Sequence, residues 1–142
     1  MREAPTSPTQ PAIANRRTLL RVAPLTALLA LILFPFEWLG RLWPAFGHAL
    51  DDAFATETEH AIGHATLFAI FGLLALTLFP ALRQRSWRYF GLLLLAGLGQ
   101  EGFQLLFKWR PLAYDDVRDL LVDLIGLTLA FVLVRLWRAI VF

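Results

Sequence analysis

Four apolar segments, each about as long as a membrane-spanning helix, dominate this sequence. They cover about residues 18–39, 57–79, 89–109 and 117–137. Each has roughly 21–23 residues, which at a rise of 1.5 Å per residue is enough to cross the ~30 Å of hydrocarbon in a bilayer. The pattern therefore predicts an all-α membrane protein, built as a bundle of four transmembrane helices.

The composition favours a membrane protein over a soluble domain. The 142 residues are 58% hydrophobic and 17% charged, whereas a soluble domain is nearer to about half apolar and about a quarter charged. The chain has no cysteine, which excludes disulfides, thiolate metal sites and cysteine nucleophiles. The net charge is only +2, and the basic residues flank the apolar segments instead of forming a patch. We therefore expect membrane lipids as partners and no nucleic acid.

The positions of the basic residues predict the orientation of the helices. They concentrate near the N-terminus, between the second and third segments, and at the C-terminus: Arg2, Arg16, Arg17, Arg21, Arg83, Arg85, Arg88, Arg135 and Arg138. Because positively charged loops stay in the cytoplasm, both termini are predicted to be cytoplasmic. We expect residues 1–15 to form a disordered tail and residues 16–142 to form the transmembrane domain, with the first helix bent near Pro35.

Several polar residues lie inside or beside the apolar segments, mostly toward the predicted outer side. Glu101 and Gln104 lie in the third segment, Arg110 follows it, and Asp119 and Asp123 lie in the fourth. A central Asp costs roughly 2.5–3.5 kcal/mol on insertion scales, so intramembrane carboxylates usually serve a function. Their helical spacing places them on shared faces. We predict an interior polar cavity that opens outward, toward the periplasm or the cell surface.

Each of these residues also has a structural interpretation. Glu101 is as consistent with an interhelical hydrogen bond as with a functional role, and Gln104 is of a type that more often joins helices than catalyses. Arg110 fits either a headgroup anchor or a clamp for a phosphate or carboxylate. His60 and His64 have the i,i+4 spacing of shared metal ligands, but such pairs are common and there is no His-Glu-x-x-His motif. We therefore expect no metal and no cofactor.

Taken in order, the polar residues resemble the pattern of the VanZ-like family of small bacterial membrane proteins. That pattern runs Asp-Lys-x-x-His-Phe on one helix, Gly-x-x-x-Glu-x-x-Gln on the next, an Arg, and Asp-x-x-x-Asn-x-x-Gly opening the last. The matching residues are His64, Phe68, Gly97, Glu101, Gln104, Arg110, Asp119, Asp123 and Gly126. Three features depart from it. His60 and Ala61 replace the Asp and Lys, Asp123 replaces the usual Asn, and the gap from Arg110 to Asp119 is longer.

The resemblance implies a multi-pass protein of the bacterial cytoplasmic membrane with a role in the cell envelope or in glycopeptide (teicoplanin-type) susceptibility. The expected ligand is then a lipid-linked envelope precursor or a glycopeptide, and a homo-oligomer is left open. The cavity residues would be His64, Glu101, Gln104, Arg110, Asp119 and Asp123.

Other classes of function also fit the residues. One is a membrane enzyme acting on a lipid phosphate or a lipid-linked precursor, with His64 as base. A second is a proton-coupled transporter, and a third is a structural membrane subunit. The chain has no recognised phosphatase, transferase or hydrolase motif, and no Ser or Cys nucleophile in the polar group. We therefore prefer a binding function, and an enzymatic function stays an open alternative.

Overall fold

A computed structural model describes residues 10–109 and 111–141, except for the side chains at positions 10–18, 21, 37 and 108. This part of the chain is entirely helical, without a strand. Its elements are α1 (Gln10–Ile32), α2 (Phe36–Leu42), α3 (Pro44–Ala53), α4 (Glu57–Leu78), a 3-10 turn (Pro80–Arg83), α5 (Ser86–Lys108) and α6 (Tyr114–Val141).

Three helices are long and apolar enough to cross a membrane. They are the segments Glu57–Leu78, Ser86–Phe107 and Tyr114–Val141, which belong to α4, α5 and α6. In α1 the apolar part is shorter and covers Val22–Ile32. These lengths and compositions indicate a helical membrane protein, as the apolar segments predicted.

The first predicted segment differs most from the structure. We expected one helix over about residues 18–39, bent near Pro35, after a disordered tail of residues 1–15. Instead α1 begins at Gln10, within that tail, and ends at Ile32, while Pro35 immediately precedes α2. Proline lacks an amide hydrogen and its ring clashes with the preceding turn, so a helix ends there more readily than it continues. The remainder of the expected tail lies outside the described residues.

Two short helices that the apolar pattern did not predict connect α1 to α4. Helices α2 and α3 pack on each other, and Gly40 lies so close to Gly47 that a side chain at either position would press on the other backbone. The chain then enters α4 through a capping box, in which Thr56 and Glu59 each accept a hydrogen bond from the other's backbone amide. This cap explains why α4 begins at Glu57, as predicted.

Helices α4 and α6 form the most extensive helix pair, and they run in the same direction. A side chain at Gly126 would collide with the backbone of Ala65, so the two helices approach closely at this point. Toward the C-termini of both helices, the Tyr89 hydroxyl of α5 donates a 2.9 Å hydrogen bond to the Leu127 carbonyl oxygen. Tyr89 belongs to one buried core cluster with apolar residues of four helices: Ile32, Phe68, Phe71, Ala75, Leu76, Leu93 and Leu127. Residues of α1 and α5 therefore pack against the α4–α6 pair and stabilise it.

The helices give the molecule two chemically different ends. One end, which we call the cavity end, carries α2, α3, the C-terminus of α5 and the N-termini of α4 and α6. The opposite end, which we call the basic end, carries the turn Pro80–Arg83 and the C-terminus of α6. There the Arg135 guanidinium donates to the Arg83 carbonyl oxygen, and Arg83 donates to the Leu76 carbonyl oxygen. The polar residues singled out in the sequence belong to the cavity end.

Candidate functional site

Two histidine–aspartate contacts join α4 and α6 at the cavity end. His64 Nδ1 lies 2.9 Å from Asp123 Oδ1, and one turn earlier on both helices His60 Nε2 lies 3.6 Å from Asp119 Oδ2. The centroids of the two imidazole rings are 4.9 Å apart. In each contact the partners are 59 positions apart in the sequence, which is the register of two parallel helices. These contacts explain why the histidines and the aspartates both recur at i,i+4.

The inner contact is almost fully removed from solvent. Asp123 is 0% exposed and His64 is 8% exposed. When an ionised Asp123 accepts a hydrogen bond from Nδ1, the lone pair of a neutral His64 is on Nε2. His64 also lines a cavity, whereas Asp123 does not. Asp123 therefore orients an imidazole whose second nitrogen is available for other chemistry.

A third carboxylate, Glu101 of α5, is buried beside these contacts. It is 3% exposed, and neither of its oxygens has a hydrogen-bond partner among the described residues. It interacts electrostatically with Asp119, then with His64, Asp116 and Asp123. A buried carboxylate without a partner is costly, so Glu101 needs a proton, a cation or a ligand nearby.

Asp116 and Arg118 complete the polar group at the start of α6. The buried Asp116 accepts a 2.7 Å hydrogen bond from the Ala113 amide, which caps the helix. Arg118 lies 2.6 Å from Glu57 and 3.7 Å from Asp119, so it links the first turns of α4 and α6. Arg118 was not predicted as a site residue. Its position immediately before Asp119, within the first turns of an apolar helix, was the available signal.

A cavity of about 360 Å³ opens beside the histidines. Its polar lining consists of His60, His64, Gln100 and Gln104. The rest is apolar or small and comes from α1 to α5 and the residues between them: Leu31, Ile32, Phe34, Pro35, Phe36, Leu50, Phe54, Gly63, Leu67 and Phe107. A second cavity of about 520 Å³ shares four of these residues, Phe36, Leu50, Phe54 and His60. An apolar space with a few convergent polar groups is the usual form of a small-molecule site.

The structure brings together most of the residues that the sequence singled out. His64, Glu101, Asp119 and Asp123 belong to one buried group, and His60 borders it. Gln104 lines the cavity. Arg110, the sixth candidate, lies outside the described residues. Phe54 was not predicted as a site residue, yet its ring lies edge-on to His60 with centroids 6.0 Å apart.

This geometry admits three kinds of chemistry. The cavity can hold an amphiphile, the Nε2 atom of His64 can act as a base, and three of the side chains can share a cation. The possible cation ligands are His60, His64 and Asp119, whose ligand atoms, one from each residue, all lie within 4.8 Å of one another. No protein-family model, curated protein or solved structure matches this chain.

Proposed function

We propose that this chain is a VanZ-like integral membrane protein that binds an amphiphilic, envelope-associated ligand in the cavity beside His64. The observation that carries the proposal is the convergence of residues from three separate motifs. His64, Glu101 and Asp123 come from three different helices and belong to one buried group. Motifs that belong to one functional site should come together in the folded protein. The convergence of these three motifs therefore supports the resemblance to the VanZ-like family.

The proposal includes a membrane placement. In it α1 is the fourth spanning helix, both termini are cytoplasmic, and the cavity end faces outward from the bacterial cytoplasmic membrane. Support comes from the arginines that lie at the basic end, since positive segments stay in the cytoplasm. It also comes from exposed tryptophans at both ends, as in an aromatic belt: Trp38, Trp43, Trp87, Trp109 and Trp137.

The lining of the cavity favours a ligand with an apolar chain and a hydrogen-bonding headgroup. The apolar walls suit an acyl or isoprenoid chain, while His60, His64, Gln100 and Gln104 offer donors and acceptors to sugar or peptide groups. A lipid-linked envelope precursor and a glycopeptide both have this character. We assign Arg110, which follows α5 in the sequence, to an anionic group of the ligand.

The test is drug susceptibility in a sensitive bacterial host that expresses the chain. We expect wild type to shift susceptibility to teicoplanin, and Glu101→Gln, Arg110→Gln and Asp123→Asn to abolish the shift at membrane levels matched by immunoblot. Asp115→Asn is the matched control, because Asp115 is exposed on the same helix as Asp123. If well-inserted wild-type protein produces no shift in susceptibility, the proposal that the cavity binds an envelope-associated ligand is rejected.

A second candidate function, a membrane enzyme acting on a lipid phosphate, is favoured by the contact between His64 and Asp123. A carboxylate that orients an imidazole at a cavity wall is a common arrangement for a general base, which here would take a proton from an attacking water. We would incubate the purified protein with polyprenyl phosphates and measure released inorganic phosphate. Turnover that is lost in His64→Gln supports this function, and inert wild-type protein rejects it.

A further inference from the structure

We propose that His60, His64 and Asp119 bind one divalent transition-metal ion between α4 and α6, with Zn²⁺ as the best fit. The i,i+4 spacing of the histidines alone did not predict a metal. The structure adds a carboxylate from the neighbouring helix, and the ligand atoms of the three residues lie within 4.8 Å of one another. Zinc ligands lie ~2.0–2.2 Å from the ion, so the three ligand atoms would move closer together on binding, by rotation of their side chains.

Asp123 supports one of the ligands in the way that metal sites usually require. A metal-binding histidine almost always donates its second ring N–H to a carboxylate or a carbonyl, which fixes the ring and its tautomer. His64 Nδ1 lies 2.9 Å from Asp123 Oδ1, and Asp123 is fully buried. Nε2 of His64 is therefore the atom left to bind the ion.

Glu101 gives an independent indication that a cation binds here. It is only 3% exposed, and neither carboxylate oxygen has a hydrogen-bond partner in the described part of the chain. It interacts electrostatically with Asp119 and with His64. Both are proposed ligands. A cation bound by these two residues would therefore also offset the negative charge of Glu101.

The charge balance and the ligand types point to the same kind of ion. Glu101, Asp119 and Asp123 are buried, and among the described side chains Arg118 is the permanent cation in contact with this group, through Asp119. A divalent ion would offset this negative charge. Two imidazoles with carboxylates suit zinc and similar transition metals, whereas Mg²⁺ and Ca²⁺ prefer oxygen ligands alone.

The test is metal binding by the full chain, purified in detergent with a tag that contains no histidine. After treatment with a chelator and dialysis against Zn²⁺, we expect about one bound ion per chain by elemental analysis. Co²⁺ should give the visible absorption bands of a low-symmetry site. Asp123→Asn should weaken affinity by about 10–100-fold, as the loss of a supporting carboxylate does.

His60→Gln is the decisive variant, and His48→Gln is its matched control. The His60 side chain is 45% exposed, so its replacement leaves the apolar core intact, and His48 is an exposed histidine outside the group. We expect His60→Gln to lose at least tenfold in affinity and His48→Gln to bind as wild type does. Wild-type protein with less than a tenth of an equivalent of zinc, or equal losses in both variants, would overturn the proposal. Neither measurement depends on the proposed envelope ligand.

Discussion

Asp123 is the residue with the most constrained surroundings in the polar group. Its Oδ1 contacts His64, and its Oδ2, which has no hydrogen-bond partner among the described residues, faces the backbone of Gly97 on α5. A side chain at Gly97 would place its Cβ 3.0 Å from that oxygen. Asp123 therefore lies where α4, α5 and α6 meet, and a change there affects all three helices.

We predict that Asp123→Ala lowers the free energy of unfolding by about 3–5 kcal/mol, because it leaves the buried His64 without its partner. Replacing both residues with leucine should recover most of this loss, since neither position then leaves a polar partner of the other unpaired. Reversible unfolding in mixed micelles measures both. Asp115→Ala, at an exposed position on the same helix, should change stability by less than about 0.5 kcal/mol. If the double variant is as unstable as Asp123→Ala, the contact itself is not what stabilises this region.

At the scale of helices, the arrangement depends on the close approach of α4 and α6. We predict that Gly126→Ala destabilises the protein by about 1–3 kcal/mol, because the added Cβ would collide with the backbone of Ala65. Gly102→Ala is the control. A Cβ at position 102 meets nothing within 4 Å, so this change should be neutral, or slightly stabilising through helix propensity.

The same unfolding assay distinguishes the two glycine variants. A loss of stability confined to Gly126→Ala locates the constraint at the crossing of α4 and α6. Similar values for both variants would mean that the helices can separate without cost, and that the register of the two histidine–aspartate contacts is not held by this crossing.

The sequence predicts the long helices well and the short ones poorly, for a physical reason. Segments that become α4, α5 and α6 are apolar over a full membrane thickness, which is a strong signal. Helices α2 and α3 have 7 and 10 residues, too few for that signal. The effect of Pro35 was underestimated, because a bend and a break look alike in sequence and only tertiary packing decides between them.

For the candidate site, spacing predicts which residues share a helix face but not which helices are neighbours. The i,i+4 spacing of His60 and His64, and of Asp119 and Asp123, is visible in the sequence. Their pairing across parallel helices is not, because it depends on the close approach at Gly126. Arg118 was missed for the same reason, since its contact with Glu57 exists only once α4 and α6 lie side by side.

At the scale of the whole molecule, the two ends differ in charge as well as in shape. Carboxylates, histidines and both cavities lie at the cavity end, while Arg83, Arg85, Arg88 and Arg135 lie at or near the basic end. Insertion of a helical membrane protein follows this kind of asymmetry. The orientation therefore decides whether the cavity meets the outside of the cell or the cytoplasm, and with it which ligands are available.

The absence of cysteine from the sequence allows a direct measurement of this orientation. Ala49→Cys introduces a thiol at an exposed position of α3 at the cavity end, and Gln84→Cys introduces one at an exposed position beside the 3-10 turn at the basic end. We predict that a membrane-impermeant maleimide labels Ala49→Cys in intact spheroplasts and labels Gln84→Cys only after lysis. The unmodified chain, without a thiol, should not be labelled under either condition.

The reverse labelling pattern would mean that the molecule lies in the membrane in the opposite orientation. An extracellular or periplasmic ligand would then be excluded. The cavity and the proposed metal site would then face the cytoplasm, where a lipid-linked precursor is still accessible at the inner leaflet but an external glycopeptide is not. Because the metal proposal depends on distances within the molecule and not on its orientation, it stands under either pattern. The reverse pattern would thus separate the two envelope ligands from each other, which drug susceptibility alone does not.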